Sequence, residues 1–512
     1  MRETSRFYTA LLLTLMFLLS GCTSSNNDSE KNNGTDITEI NADEKEQISE
    51  IGKDNITKIN VPSLYYCDNT NPHHCLLPFP SGAFLVPDNE TSTGYRLHIP
   101  GKAIPDSNSA ISTAFPMINS RDGNSPSTQI FTSFNETPNL NGIANQNEIS
   151  ISLNPNHETV LLNMDTGEIL PHWVEESSRK QDDETTLIHI RTIRGLDHNS
   201  KYAVAFRNLV DDLGEKINPS LAFKSLRDGD LTDSNQIENM RESYEIMFSS
   251  LEKIGVLRGS LQSAWWFHTA STDSILRDIV IMRDDAENRL GQSGIGCNIT
   301  EVTENYGNDG NTLRLIRGTF TTPHYMENEY ARSPLMRGES GDPQFVENRE
   351  VDFSMLIPRS LADNNTSGPL TVFGHGLFGS GSSYVRNAGS IANEYQTVVI
   401  ATDFKGWSSD GDQDAMTFAL LDLKEFQYQQ ERQMQAVINH ISMVRTITGI
   451  CSDLVEFKNN GTNMIDVETV NYIGISLGGL RGPSLLAFVP ELEWGVLWVG
   501  GTSFTHQVER ST

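Results

Sequence analysis

Positive charge is scarce in this chain. Lys and Arg number 38 against 67 Asp and Glu, a formal net charge of −29. So acidic a surface repels phosphate backbones, which argues against nucleic acid as a partner. Cysteine is scarce too: there are 5, with no CxxC pair. His73-His74-Cys75 reads as a turn, so no metal site is expected, and no cofactor is expected either. Long apolar runs are absent beyond the first 22 residues, so no other segment has the roughly 18 apolar residues of a membrane-spanning helix. Hydrophobic residues are a modest 37%, yet that is enough for packed cores and rules out wholesale disorder. At roughly 100–200 residues per domain, 512 residues leave room for two or three. No internal repeat is present.

Arg2 and Arg6 precede an apolar run from Tyr8 to Leu19. The run is shorter than the roughly 20 residues a spanning helix needs, and it suits a signal peptide. Leu19-Ser20-Gly21-Cys22 closes it and resembles a bacterial lipobox. The resemblance implies cleavage after residues 1–21 and lipidation of Cys22. The protein would then be anchored to a membrane of the bacterial cell envelope through its acyl chains. Thr23 follows, not Asp, which points to the outer membrane. Residues 22–60, rich in Asn, Ser, Asp, Glu and Lys, read as a flexible tether. Cys67, Cys75, Cys297 and Cys451 remain. An even number in an exported protein suggests disulfides, Cys67–Cys75 closing a small loop and Cys297–Cys451 the long-range pair. Free buried thiols are the alternative.

From about 61 to 234, turn residues recur every ten or so positions between short alternating runs. Ile149–Leu153 and Tyr202–Phe206 read as strands, and Asp165-Thr166-Gly167 as a turn. Gly195–Tyr202 with Val210–Gly214 looks like the late strands of a bacterial Ig-like module, so a β-rich sandwich is expected. Residues 235–296 read as a helical connector. Ile275, Ile279, Met282, Ala286 and Leu290 share one helix face, and Gly291 stops that helix. Trp265-Trp266 reads as core. From 297 to 512 strands alternate with helices, which predicts a mostly parallel sheet with helices on both faces. Strands are expected at Leu313–Phe320, Val351–Ile357, Leu370–Phe373, Thr397–Ala401, Tyr472-Ile473 and Gly495–Val499. One long helix is expected over about 412–448. Asp410, Asp412 and Asp414 have the opening spacing of a calcium loop, but Ala415 and Leu421 stand where its Gly and Glu belong, so they read as a solvated helix start.

Two motifs carry chemistry. Gly474-Ile475-Ser476-Leu477-Gly478 matches G-x-S-x-G between an expected strand and an expected helix. Small neighbours let the chain turn sharply enough to present the Ser476 hydroxyl as a nucleophile. Gly374-His375-Gly376-Leu377-Phe378-Gly379 ends an earlier strand. Acyl transfer puts negative charge on the carbonyl oxygen, and the backbone N–H groups of Leu377 and Leu477 are the candidate stabilisers. His375 is expected to orient the loop rather than to act as a base.

Together these motifs resemble the α/β-hydrolase superfamily, and the layout resembles the bacterial virulence-factor lipase group. The likeness takes in Phe267–Ser271, Met282–Asp285 and Ala401–Trp407 as well. It implies an α/β-hydrolase domain, incomplete at its C-terminus, after a β-rich half. It also implies a serine esterase, lipase or lysophospholipase acting on lipid or other small ester substrates. In that superfamily the chain order is Ser, then Asp or Glu, then His. Only 36 residues follow Ser476, and His506 and Glu509 come too early for those places. The acid and base are therefore expected beyond residue 512. The alternative reading is a non-catalytic surface lipoprotein on a degenerate hydrolase scaffold, binding through its Ig-like part.

Overall fold

A computed structural model describes residues 58–103, 118–177, 186–409, 413–421 and 425–501. The leader, Cys22, the tether through residue 57, His506 and Glu509 lie outside these residues, while Ile59, expected in the tether, bridges to Thr232. The described chain divides into two compact units, one of residues before 272 and one from Thr272 onward.

The first unit opens with a hairpin of β1 (Leu85–Pro87) and β2 (Tyr95–Leu97). Five longer strands and a sixth then form two antiparallel sheets. These are β3 (Ile130–Ser133), β4 (Thr159–Asn163), β5 (His172–Glu176), β6 (Leu187–Thr192), β7 (Lys201–Arg207) and β8 (Leu261–His268). The orders are β3-β6-β5 and β4-β7-β8. In β7 every second residue is large. Tyr202, Val204 and Phe206 enter a core shared with Ile130, Ile188 and Ile190 of the other sheet. Ala203 and Ala205 face the other way, where their small size admits the helices Leu221–Asp228 and Asn235–Lys253. Phe223, Tyr244, Met247 and Phe248 fill that second layer.

Three expectations need correction here. Of the β-rich, Ig-like sandwich expected over 61–234, the described residues show two three-stranded sheets packed on a shared core, with helices, not expected there, on one outer face. The connector expected over 235–296 does not exist as one element. Its first helix packs on the first unit, β8 completes that unit's sheet, and only the helix Thr272–Leu290 belongs to the second. Trp265 and Trp266 are core residues of β8, as expected. Ile149–Leu153 is a 3₁₀ turn, not a strand. There the Ser152 hydroxyl donates to the Ile149 carbonyl at 2.7 Å and accepts from His172 N–H at 3.1 Å, so local closure wins over an alternation only five residues long.

The second unit is built on a seven-stranded sheet. Its strands are β9 (Cys297–Glu304), β10 (Thr312–His324), β11 (Glu347–Pro358), β12 (Gly368–Gly374), β13 (Val398–Ala401), β16 (Ile465–Ile475) and β17 (Leu492–Trp498), ordered β17-β16-β12-β13-β11-β10-β9. A separate two-residue ribbon pairs β14 (Lys458–Asn459) with β15 (Thr462–Asn463). The block β17-β16-β12-β13 is parallel, and β11, β10 and β9 add antiparallel pairings. Within the helical stretch expected over about 412–448, the described helices are Gln413–Leu421 and Phe426–Thr448. Cys67 bonds to Cys75, and Cys297 to Cys451, each pair within one unit.

From β12 the chain steps to β13 on one side and then returns to β16 on the other. The strand order thus reverses between β12 and β16. Such a reversal opens a crevice beyond the carboxyl ends of the two strands.

A buried ion cluster ties helices of this unit together. Asp278 is 2% exposed and lies 2.9 Å from Arg337, whose guanidinium also holds Glu431 at 2.7 Å. Burial pushes the Asp278 carboxyl up to about 6, against the pull of Arg337. A carboxyl raised on folding adds stability at low pH that is lost as pH climbs from its ordinary value of about 4 toward that raised one. Asp278→Asn cannot titrate. Between about pH 4 and 7 the wild type should therefore lose about 2 kcal/mol relative to this variant in urea unfolding. Parallel pH profiles would refute this.

Candidate active site

Both motifs stand at the crevice. β12 ends on Gly374 and β16 on Ile475, and Gly374 lies directly across from Gly474 in the parallel register. The helix Leu477–Phe488 starts immediately, leaving Ser476 as the one-residue turn between strand and helix. Ser476 has φ 53° and ψ −113°. A non-glycine residue in that region is strained, and the surrounding structure must hold it there. Its N–H donates to the Trp498 carbonyl of β17 at 3.0 Å, and its carbonyl accepts from Leu480 N–H at 3.0 Å. The side chain is exposed.

Glycine is required around it for close approach. A methyl on Gly474 would overlap the Gly478 backbone, and one on Gly478 would overlap the Gly374 carbonyl. The buried Tyr472 hydroxyl fills the space among these three glycines and donates to the Gly478 carbonyl at 2.6 Å. Burial pushes that phenol up, so it stays a donor. The sequence marks Tyr472 only as a strand residue. Its side chain points back along β16 onto the helix start, and no linear motif records that.

The GHGLFG loop faces the serine. A methyl on Gly376 would stand 3.8 Å from Ser476 Cβ. His375 is fully buried. Its Nε2 lies 2.8 Å from Phe404 N–H, which can only donate, so Nε2 accepts. Nδ1 then carries the proton and donates to the Gly376 carbonyl at 2.7 Å. Both nitrogens are committed to holding the loop. Two further bonds pin it to the same neighbouring segment: Phe378 N–H to the Trp407 carbonyl and Ser409 N–H to the Gly379 carbonyl, each 2.9 Å. Ala401–Trp407 is therefore the support of this loop. The Phe404 ring lies between the rings of His375 and His440, at 5.0 and 4.9 Å.

Leu477 opens its helix, so its N–H has no carbonyl one turn back to bond. Leu377 N–H makes no hydrogen bond among the described residues. Each motif thus holds one backbone N–H with no hydrogen bond among the described residues. Among the described residues no imidazole is hydrogen-bonded to the Ser476 hydroxyl, and no group of three or more His, Cys, Asp or Glu is placed to hold a metal. Of the candidate calcium-loop positions, Asp410 and Asp412 lie outside the described residues, and Asp414 is exposed on its helix. No described helix is long and apolar enough to cross a membrane.

No family model and no curated protein matches this chain. Solved structures similar to part of it include acetyl xylan esterase 1 from Thermoanaerobacterium, 14% identical over 42% of this chain and 57% of that one, at a TM-score of 0.23. A methylesterase is 13% identical over 45% and 43%, at 0.24. The rice cell wall degrading esterase LipA from Xanthomonas oryzae is 14% identical over 41% and 50%, at 0.21. The match spans about half the length of each of these chains.

Proposed function

We propose that this chain is a serine hydrolase of carboxylic esters, held at the bacterial envelope by a lipidated Cys22. The observation that carries the reading is Ser476, strained at the β16 elbow, with the Gly376-Leu377 backbone turned toward it from the adjacent strand. Ser476 Oγ attacks the acyl carbon while its proton passes to a base. The Leu377 and Leu477 N–H groups hold the oxyanion. The C–O bond then breaks, the alcohol leaves with a proton, and water hydrolyses the acyl-serine. The acid and base that complete this chemistry are proposed to come from outside the described residues.

Apolar surface near the serine supports a lipid-like acyl group. Leu377 is 47% exposed, and Trp498 and Val499 of the neighbouring strand end are 58% and 67% exposed. The test is p-nitrophenyl ester hydrolysis with and without Ser476→Ala. An unchanged rate in the variant would leave the non-catalytic scaffold as the better reading.

The anchor has its own test. Cells fed labelled palmitate should label the wild-type chain and not Cys22→Ala. Equal labelling of both would remove the lipobox from the argument.

A further inference from the structure

Beside the oxyanion loop, and separate from Ser476, the second unit carries an open cavity of about 930 Å³. Ser380 and Ser409, which follow and pin that loop, lie on its wall. The rest comes from β9, β10, β11, the loop after β13, the helix Gly381–Arg386 and the helix Phe426–Thr448.

Its charge is unlike that of the chain. Arg317, Arg349, Arg386, Arg432 and Lys405 line it, five cations in a protein whose net charge is −29. Four carboxylates also reach it, and three of them are engaged. Glu350 accepts from the Thr319 and Thr321 hydroxyls at 2.5 and 2.7 Å. Asp403 accepts from Gly381 N–H at 2.6 Å. Glu329 is shared by Arg349 at 2.7 Å and by Lys405 closer still; Arg349 also holds Glu347 at 2.7 Å and Arg317 pairs with Glu301 at 3.1 Å, so of these three Lys405 is the cation left with only a shared partner. Asp352 is exposed at the margin. Arg386 is exposed and makes no ion pair among the described residues.

A buried polar atom also meets the cavity. The His324 side chain is 4% exposed, and its Nε2 makes no hydrogen bond, although Glu329 lies 3.2 Å away. Burial pushes this imidazole down to about 4, so it is neutral near pH 7 and can offer an N–H without adding charge. Guanidinium forks, an ammonium and a neutral N–H around a polar space make a donor set suited to a tetrahedral oxyanion.

We propose that this cavity binds a phosphate group, with Arg386 and Lys405 as its principal charged contacts and His324 as a neutral donor. Glu329 holds the place of the anion when the site is empty, so it competes with the ligand. The proposal does not depend on Ser476 being catalytic.

The test is calorimetric titration of the full chain with inorganic phosphate and with glycerol 3-phosphate, against sodium chloride at equal ionic strength. Saturable binding is expected with phosphate and not with chloride. Tighter binding of glycerol 3-phosphate would identify the ligand as a phosphomonoester, and equal binding as free phosphate. Arg386→Gln should weaken binding about five-fold, and Glu329→Gln should strengthen it by a similar factor by releasing Lys405. A purely structural role for Glu329 does not produce that gain. Arg386 is exposed, so its variant should fold normally and keeps the test decisive if Glu329→Gln does not fold. No saturable heat beyond chloride, or unchanged phosphate binding in Arg386→Gln, would overturn the proposal.

Discussion

Ser476→Ala is expected to remove ester hydrolysis, by about 10⁶ in kcat wherever a base activates the serine. His375→Ala should behave differently. A base and its nucleophile act as one unit, so losing either costs nearly the same. His375 has both ring nitrogens bonded to backbone, Nε2 to Phe404 N–H and Nδ1 to the Gly376 carbonyl. Its loss should loosen the loop that carries Leu377 N–H. Misplacing one oxyanion donor costs about 10²–10³ in kcat, with KM little changed. His375→Ala should thus keep far more activity than Ser476→Ala. Equal losses would make His375 the base and void the positioning argument. Fast hydrolysis lost on His506→Ala would make His506 the base instead.

The parts of the site legible in sequence share one property: their constraint is local. A G-x-S-x-G turn needs small residues within two positions of the serine, and those positions are adjacent in the chain. The same holds for the β-branched run that became β13 and for Gly291, which ends its helix at φ 59°. What escaped depends on distance. Tyr472 acts through Gly478, and Phe404 through His375, because the sheet order brings separate segments together. The cavity draws its cations from positions between 317 and 432. The first unit departs from its expected pattern for a related reason. A five-residue alternation at Ile149–Leu153 carries too little information against a hydroxyl that closes a local turn. β8 lies beyond two helices, so its pairing with β7 is set by burial of Trp265 and Phe267, not by neighbouring turn signals.

Gly478→Ala tests how tightly the elbow is built. The added methyl would overlap the carbonyl, carbon and Cα of Gly374. All three atoms are backbone, fixed by the β12–β16 pairing, so none can swing aside as a side chain would. Relief requires the helix Leu477–Phe488 to lift from the sheet, and Ser476 and the Leu477 N–H move with it. Overpacking of this kind costs about 3 kcal/mol. A shift of about 1 Å at reacting groups costs about 10² in rate. Gly482→Ala, four residues on, is a graded comparison. Its methyl's nearest neighbours would be side chains rather than backbone: Leu497, 42% exposed and able to turn, and the edge of the buried Tyr472 ring. Its cost should be smaller. Gly296→Ala meets nothing within 4 Å and should unfold like the wild type. The expected order in urea unfolding is therefore Gly478→Ala least stable, then Gly482→Ala, then Gly296→Ala level with wild type. Only Gly478→Ala should lose most of the hydrolysis at equal folded protein. If Gly478→Ala unfolds at the wild-type urea midpoint and keeps its rate, the close helix–strand contact is not what holds Ser476 in place.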